Sequence, residues 1–447
     1  MKYEKWSLGY WVLKQIVRFA ELIIYKKIVI NGKDKIPRNK PILFAPNHQN
    51  ALSDPMAVLL YTPYQPVWLA RADIFKSKIA AAILRFMKIM PVYRIRDGKD
   101  QLSRNDETFE NSIRVLKSNG ALALFPEAAH SGKRQMLMHK KAVPRIVFMA
   151  EEKAKENIDI QIVPTGIFYS SYWKFNRSVV VNFGEPVPVN DYLEAYRENP
   201  NTATLALRDK LYDAIDELVI NIRSKKHYNE FELIREYYGK TYLERQKIKY
   251  SITTLFWSDR KLTRKLDKLE QTSPETAENL AGAARNYQRV LKMYRLRSWL
   301  FANNKNNFLK LGGNKLLLLL GLPFFIYGFA FNAIPFFAID TLVRKKIKDF
   351  AFWSTFSLVL GIILFPIVYL LELWAVATLL PGIWLKLIFL FTLPFMGKLA
   401  FRWYILLLKT WGRGKILFMK LFSKKQYSEI VKLKEELFAQ LDQLVEA

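Results

Sequence analysis

Apolar and polar positions divide the chain into segments of distinct kinds. Between residues 28 and 190, short apolar runs alternate with stretches whose apolar residues return at helical spacing. The runs Ile28–Gly32, Pro41–Ala45, Val67–Ala70, Ile89–Tyr93, Ala121–Phe125, Ile160–Pro164 and Val179–Phe183 predict strands. Asp54–Tyr61, Ser77–Met87 and Asn105–Asn119 predict helices, and an amphipathic helix over 203–225 closes the region. Such alternation implies an α/β domain over residues 28–225 with a mostly covered sheet. In these sheets chemistry collects in the loops at strand ends.

Residues 226–310 are highly charged and read as a helical insertion, with a helix break at Ser273-Pro-Glu-Thr276 and no catalytic arrangement. Residues 311–425 are a membrane region of two or three apolar tracts. No charge interrupts Leu316–Ile339 or Phe350–Leu371, and each exceeds the roughly 20 residues that span a bilayer. A third tract, Leu387–Leu408, is broken by Lys398 and Arg402. Cations flank the first tract on both sides: Lys305, Lys310 and Lys315 before it, Arg344, Lys345, Lys346 and Lys348 after it. Positive charge marks the cytoplasmic side, and a single crossing cannot have both ends there. Pro323 and Pro335, with Gly321 and Gly328, therefore suggest a re-entrant hairpin, and the last two tracts an in–out–in pair.

Residues 1–27 combine tryptophans and aliphatic residues with spaced charges, as does a helix in the membrane interface or one packed on the domain. Lys14, Arg18 and Glu21 interrupt any cleavable signal pattern. In the amphipathic helix of 426–447, Ile430, Leu433, Leu437, Leu441 and Val445 form one stripe, suited to self-association or to core packing.

Composition sharpens the membrane reading. The chain is 51% hydrophobic and carries a formal charge of +29, which suits cations facing anionic head groups. These cations are spread along the chain and flank apolar tracts, which speaks against nucleic acid as partner. The absence of cysteine excludes disulfides, thiolate zinc sites and cysteine nucleophiles, and the four histidines show no metal-ligand spacing.

One of those histidines, His48, follows the run Pro41–Ala45, and Asp54 comes six positions later. A histidine with a nearby carboxylate can take a proton from a hydroxyl. The same Asp54-Pro55 is also a good helix start, with aspartate as N-cap. On one helix the two residues would lie on different faces, so they meet only if His48 precedes the helix and the chain turns through Gln49–Ser53. Arg94 and Glu127 likewise stand directly after apolar runs.

The ordered pieces Asn47-His48 with Asp54-Pro55, Pro91-Val-Tyr-Arg94, Phe125-Pro-Glu127, and Val163-Pro164 with Phe183-Gly-Glu-Pro186 resemble the glycerolipid acyltransferase superfamily. The resemblance covers about residues 28–190 and implies His48 as general base and Asp54 as its orienting carboxylate. It implies Arg94 as the arginine binding a glycerol phosphate, with Glu127 matching the third-block glutamate of the substrate site. Arg71, Arg96, Lys133 and Arg134 are further candidates for phosphate or donor contact, or solvated cations. No cofactor is implied beyond an acyl-CoA or acyl-carrier-protein co-substrate, and no metal. The implied partners are membrane lipids, a glycerol-phosphate acceptor and the acyl thioester donor. The implied activity is acyl transfer to 1-acylglycerol-3-phosphate or glycerol-3-phosphate, in a domain facing the cytoplasm at a membrane, with a bacterial inner membrane as the simplest setting. Two departures stand out. Five residues rather than four separate His48 from Asp54, as in some yeast-type glycerol-3-phosphate/dihydroxyacetone-phosphate acyltransferases. Ala128 replaces the usual glycine, where a positive φ would be awkward, and His130 stands where many members have arginine. A non-catalytic lipid-binding scaffold that keeps the fold is the alternative.

Overall fold

The computed structural model describes residues 2–93, 105–154, 157–301 and 307–446. It divides into two compact units: Met1–Ile220 with Ile347–Phe356, and Asn221–Lys346 with Ser357–Ala447.

The first unit begins with α1 (Leu8–Ile24), capped by the Ser7 hydroxyl, which accepts from the Tyr10 amide. There follow β1 (Tyr25–Asn31), β2 (Ile42–Pro46), α2 (Ser53–Leu59), β3 (Val67–Arg71), α3 (Lys78–Phe86), β4 (Ile89–Val92), α4 (Asn105–Lys117), β5 (Ala121–Ala123) and α5 (Ala142–Ala154). The unit continues with β6 (Gln161–Tyr169), β7 (Arg177–Phe183), β8 (Val187–Pro188), α6 (Leu193–Glu198) and α7 (Pro200–Asp216). The sheet order is β1-β7-β6-β2-β5-β3-β4, with β8 beside β6. Strands β2 to β6 run parallel to one another, so their C-terminal ends share one edge. β1 and β7 run the opposite way, joined through the antiparallel β6–β7 pair.

β2, β6 and β7 are buried along their whole lengths. That is why they read as continuous apolar runs without alternation. Helix α5 lies where no helix was predicted, since Pro144 breaks the expected pattern, yet proline is tolerated in a first helical turn. Its Val143, Ile146, Val147 and Phe148 join the core with Leu43, Leu122 and Ile162. In α1 the charges Lys14 and Glu21 turn inward: Lys14 Nζ donates to the carbonyls of Thr62 and Tyr64, and Glu21 accepts from the Tyr61 hydroxyl. Trp6 beside the helix and Leu8, Trp11, Phe19 and Leu22 within it are exposed.

The second unit is helical: α8 (Tyr228–Arg245), α9 (Ile252–Thr272), α10 (Pro274–Met293), α11 (Asn307–Ala330), α12 (Ala333–Lys346), α13 (Trp353–Val376, whose first turn, Trp353–Phe356, belongs to the first unit), α14 (Gly382–Phe422) and α15 (Lys424–Glu446). Leu309–Lys346, Phe350–Val376 and Gly382–Phe422 are long and apolar enough to cross a membrane. The first tract is interrupted at Phe331–Asn332, while Pro323 lies inside the unbroken α11. Asn332 Nδ2 donates to the carbonyls of Gly328 and Leu393, and its Oδ1 accepts from Tyr369. Among the described residues α11 packs along α14 rather than α12, so the two halves do not form the paired arms of a hairpin. The α15 stripe is covered by α9 and α10 of the same chain, which is the core-packing alternative.

Candidate functional site

The chain leaves the sheet at the C-terminal end of β2 and is pinned there by Asn47. Its side-chain Oδ1 accepts from Ile167 N at 2.7 Å and its Nδ2 donates to Ile167 O at 3.3 Å, both on β6. His48 comes next, outside any helix. Asp54 is not the N-cap: α2 starts at Ser53 with Leu52 as cap residue, and the Asp54 carboxylate turns back on the preceding loop. Its Oδ2 accepts from Gln49 N and Asn50 N, each at 2.7 Å, and lies 3.0 Å from His48 Nδ1. The carboxylate can only accept, so the shared proton sits on Nδ1 and Nε2 remains the basic nitrogen. The turn that closes this contact carries Ala51 at φ +38°.

Glu127 holds the other side of His48. β5 ends at Ala123 and Leu124 N still donates to Phe44 O of β2, so Phe125 lies past the strand as a ring partner. Its ring stacks on His48 with centroids 3.8 Å apart and planes 12° apart, and Trp68 of β3 stacks behind it at 5.2 Å. Glu127 Oε1 accepts from His48 N and Oε2 from Leu137 N, both at 2.9 Å. Burial pushes the Glu127 carboxyl up to about 8, with the two amide hydrogen bonds pulling the other way. Ser131 N donates to His48 O at 3.2 Å, so loop residues bond both backbone groups of the histidine. Ala128 has φ +58°, the left-handed conformation that glycine adopts without cost and alanine does not.

His130 meets the His48 ring edge-on at 5.6 Å, and its Nε2 lies 3.2 Å from Asp349 Oδ2. Arg71 ends β3 on the same sheet edge as His48, half-exposed and paired with Asp73. Arg134 is buried, donating to the Tyr169 carbonyl over the rings of Phe168 and Tyr172, and Lys133 is exposed. His139 is buried away from the pair, and burial lowers its pKa to about 4. Arg94 and Arg96 lie outside the described residues, just beyond Tyr93 at the end of β4. Among the described residues no group of histidine and carboxylate side chains converges as metal ligands would. Asn47, Asn50, Asp349 and Ser354 contribute to the geometry without having been assigned a role from the sequence. Asn47, at least, had a signal in its place beside His48.

Residues 27–168 match the Acyltransferase family, a stretch that includes His48, Asp54 and Glu127. Glycerol-3-phosphate O-acyltransferase 2 of Saccharomyces cerevisiae is 25% identical over 203 residues, covering 43% of this chain and 26% of the relative. Glycerol-3-phosphate O-acyltransferase 1 of the same organism is 23% identical over 257 residues, covering 58% of this chain and 33% of the relative. The chain thus spans about a quarter to a third of the length of these relatives. The crystal structure of the 1-acyl-sn-glycerophosphate acyltransferase PlsC from Thermotoga maritima is similar with a TM-score of 0.33 and 17% identity, over 45% of this chain and 79% of that one.

Proposed function

We propose that this chain, a member of the glycerolipid acyltransferase superfamily, is a membrane-bound enzyme that moves a fatty acyl group from a thioester to a glycerol-phosphate hydroxyl. The observation that carries the reading is the 3.0 Å contact from Asp54 Oδ2 to His48 Nδ1, which leaves Nε2 as the base. Nε2 takes the hydroxyl proton as the oxygen attacks the thioester carbonyl. Collapse of the tetrahedral oxyanion breaks the C–S bond, and the departing thiolate takes the proton back from Nε2. No serine or cysteine nucleophile is required.

Glu127 acts as a positioning residue here, since both its oxygens are committed to backbone amides. Arg94, two positions after the last residue of β4 in the sequence, takes the phosphate-binding role that the family resemblance implies, with Arg71 and Arg96 as further candidates. A planar guanidinium suits that task through two parallel hydrogen bonds. Glycerol-3-phosphate is the favoured acceptor, because it is the compound named in both yeast relatives, and 1-acylglycerol-3-phosphate is the competitor.

The three apolar stretches anchor the protein, and the exposed tryptophans by α1 sit at head-group depth. Arg344, Lys345 and Lys346 lead directly into Ile347–Phe356, a segment of the first unit. With cations at both ends of the first tract, we take these three, which adjoin the first unit, as the ones that mark its side as cytoplasmic.

The test is an acyl-transfer assay on the purified full chain. It would compare glycerol-3-phosphate, dihydroxyacetone phosphate and 1-acylglycerol-3-phosphate with an acyl-CoA or acyl-carrier-protein donor. Glycerol-3-phosphate should give the highest kcat/KM. Acyl-lipid binding with no transfer to any of the three would identify a scaffold instead.

A further inference from the structure

We propose that Asp349 and Ser354 are positioning residues of the acyl-transfer site: Asp349 fixes the His130 ring beside His48, and Ser354 fixes the turn that holds Asp54 on His48. This rests on His48 being the base. Both residues belong to Ile347–Phe356, which is outside the family-matched residues 27–168 but part of the same compact unit. In sequence the segment runs from the end of α12 into the first turn of α13, which holds Ser354.

The contacts are specific. Ser354 Oγ lies 2.9 Å from Ser53 Oγ, across 301 sequence positions, and 3.1 Å from Asn50 Oδ1. Asn50 is fully buried, and its amide orientation is fixed because Nδ2 donates to the Tyr172 carbonyl at 3.1 Å. Its Oδ1 must therefore accept, so the Ser354 hydroxyl donates to it. At the other end Arg177, an obligate donor, reaches Ser53 Oγ at 3.5 Å through Nη2. The proton directions follow from those two ends: Arg177 to Ser53, Ser53 to Ser354, Ser354 to Asn50. The backbone N–H of the same Asn50 donates to Asp54 Oδ2, the atom that meets His48. The turn so held contains Ala51 in a left-handed conformation, so local backbone preference alone would not keep its shape.

Asp349 works on the second histidine. Its Oδ1 accepts from Ala351 N at 2.9 Å, which caps the short turn Phe350–Phe352, while its Oδ2 faces His130 Nε2 at 3.2 Å. Phe352 meets the His130 ring edge-on at 5.3 Å, and Phe350 meets Trp173 at 5.7 Å. The segment thus sets the ring beside His48 from one side and the Asp54 turn from another. Locking a reacting pair through such outer contacts is how its geometry is kept productive.

The experiment uses the full chain in phosphatidylcholine–phosphatidylglycerol vesicles, with Ser354→Ala, Ser354→Thr and Asp349→Asn. For Ser354→Ala, kcat should fall roughly tenfold, the size of one lost orienting hydrogen bond, with KM values for donor and acceptor held. Ser354→Thr, which keeps the hydroxyl, should recover most of the loss. Independently of turnover, carbethoxylation of His48 by diethylpyrocarbonate, followed by peptide mass spectrometry, should speed up severalfold in Ser354→Ala and Asp349→Asn. Unchanged labelling with unchanged kcat would overturn the proposal, as would a rise in KM alone, which would make Ser354 a substrate contact. If the wild type transfers no acyl group and yet labelling accelerates in the variants, the placement stands and the proposed function fails.

Discussion

His48 and His227 both stand beside carboxylates, and only His48 is built to use one. His227 is 2% exposed, its Nε2 lies 3.9 Å from Glu270 and 3.6 Å from Glu278, and its Nδ1 is buried with no hydrogen-bond partner among the described residues. Both distances exceed a hydrogen bond, and Glu278 is already engaged by Lys226 and Arg285. His48 instead has a carboxylate pinned by two backbone amides at 3.0 Å, a stacked ring on its face, and a side chain 16% exposed. A carboxylate near a histidine orients it only when something else fixes the carboxylate and one ring nitrogen stays reachable.

The sharpest way to break this contrast is to exchange the two histidines. His48→Ala should lower kcat by roughly 10³-fold or more, within the range that general-base catalysis contributes. His227→Gln should leave kcat near the wild-type value, as steady-state transfer assays on both variants would show. Comparable losses in the two would dissolve the distinction.

A smaller effect concerns the clamp on His48. Burial raises the folded Glu127 carboxyl to about 8 from the ordinary value of 4.5. A raised folded value means that its contribution to stability is complete below about 4.5 and is lost as pH rises through about 8. Thermal unfolding across that window should show the wild type losing stability relative to Glu127→Gln as pH rises. A constant difference between the two would contradict the shift.

The smallest effect is backbone strain. Ala128→Gly should stabilise the protein by about 0.5–1 kcal/mol, because glycine removes the Cβ penalty of a positive φ. A denaturation midpoint that moves down would mean that the loop does not need that conformation.

The sequence made parts of this site legible for physical reasons that differ from residue to residue. β2, β6 and β7 are buried on both faces, so their apolar runs were visible without context. The His48–Asp54 partnership was visible as a spacing, and so was the strain at Ala128. How the pair meets was not, because it depends on Ala51 at φ +38° and on amides of Gln49 and Asn50. Lys14 and Glu21 interrupted an apolar helix in the sequence, yet they are the side chains it turns toward its own domain. Ser354 and Asp349 left no signal near the motif, since they lie some 300 and 219 positions from the residues they contact. Local periodicity does not extend over such distances.

The most direct measurement is chemical rescue of the missing base. Purified His48→Ala protein would be assayed for acyl transfer to glycerol-3-phosphate with and without added imidazole. With His48 as the proposed base, almost no turnover is expected alone, and a return of activity that grows with the concentration of neutral imidazole. Turnover near the wild-type rate without imidazole would contradict the assignment of His48 as the base.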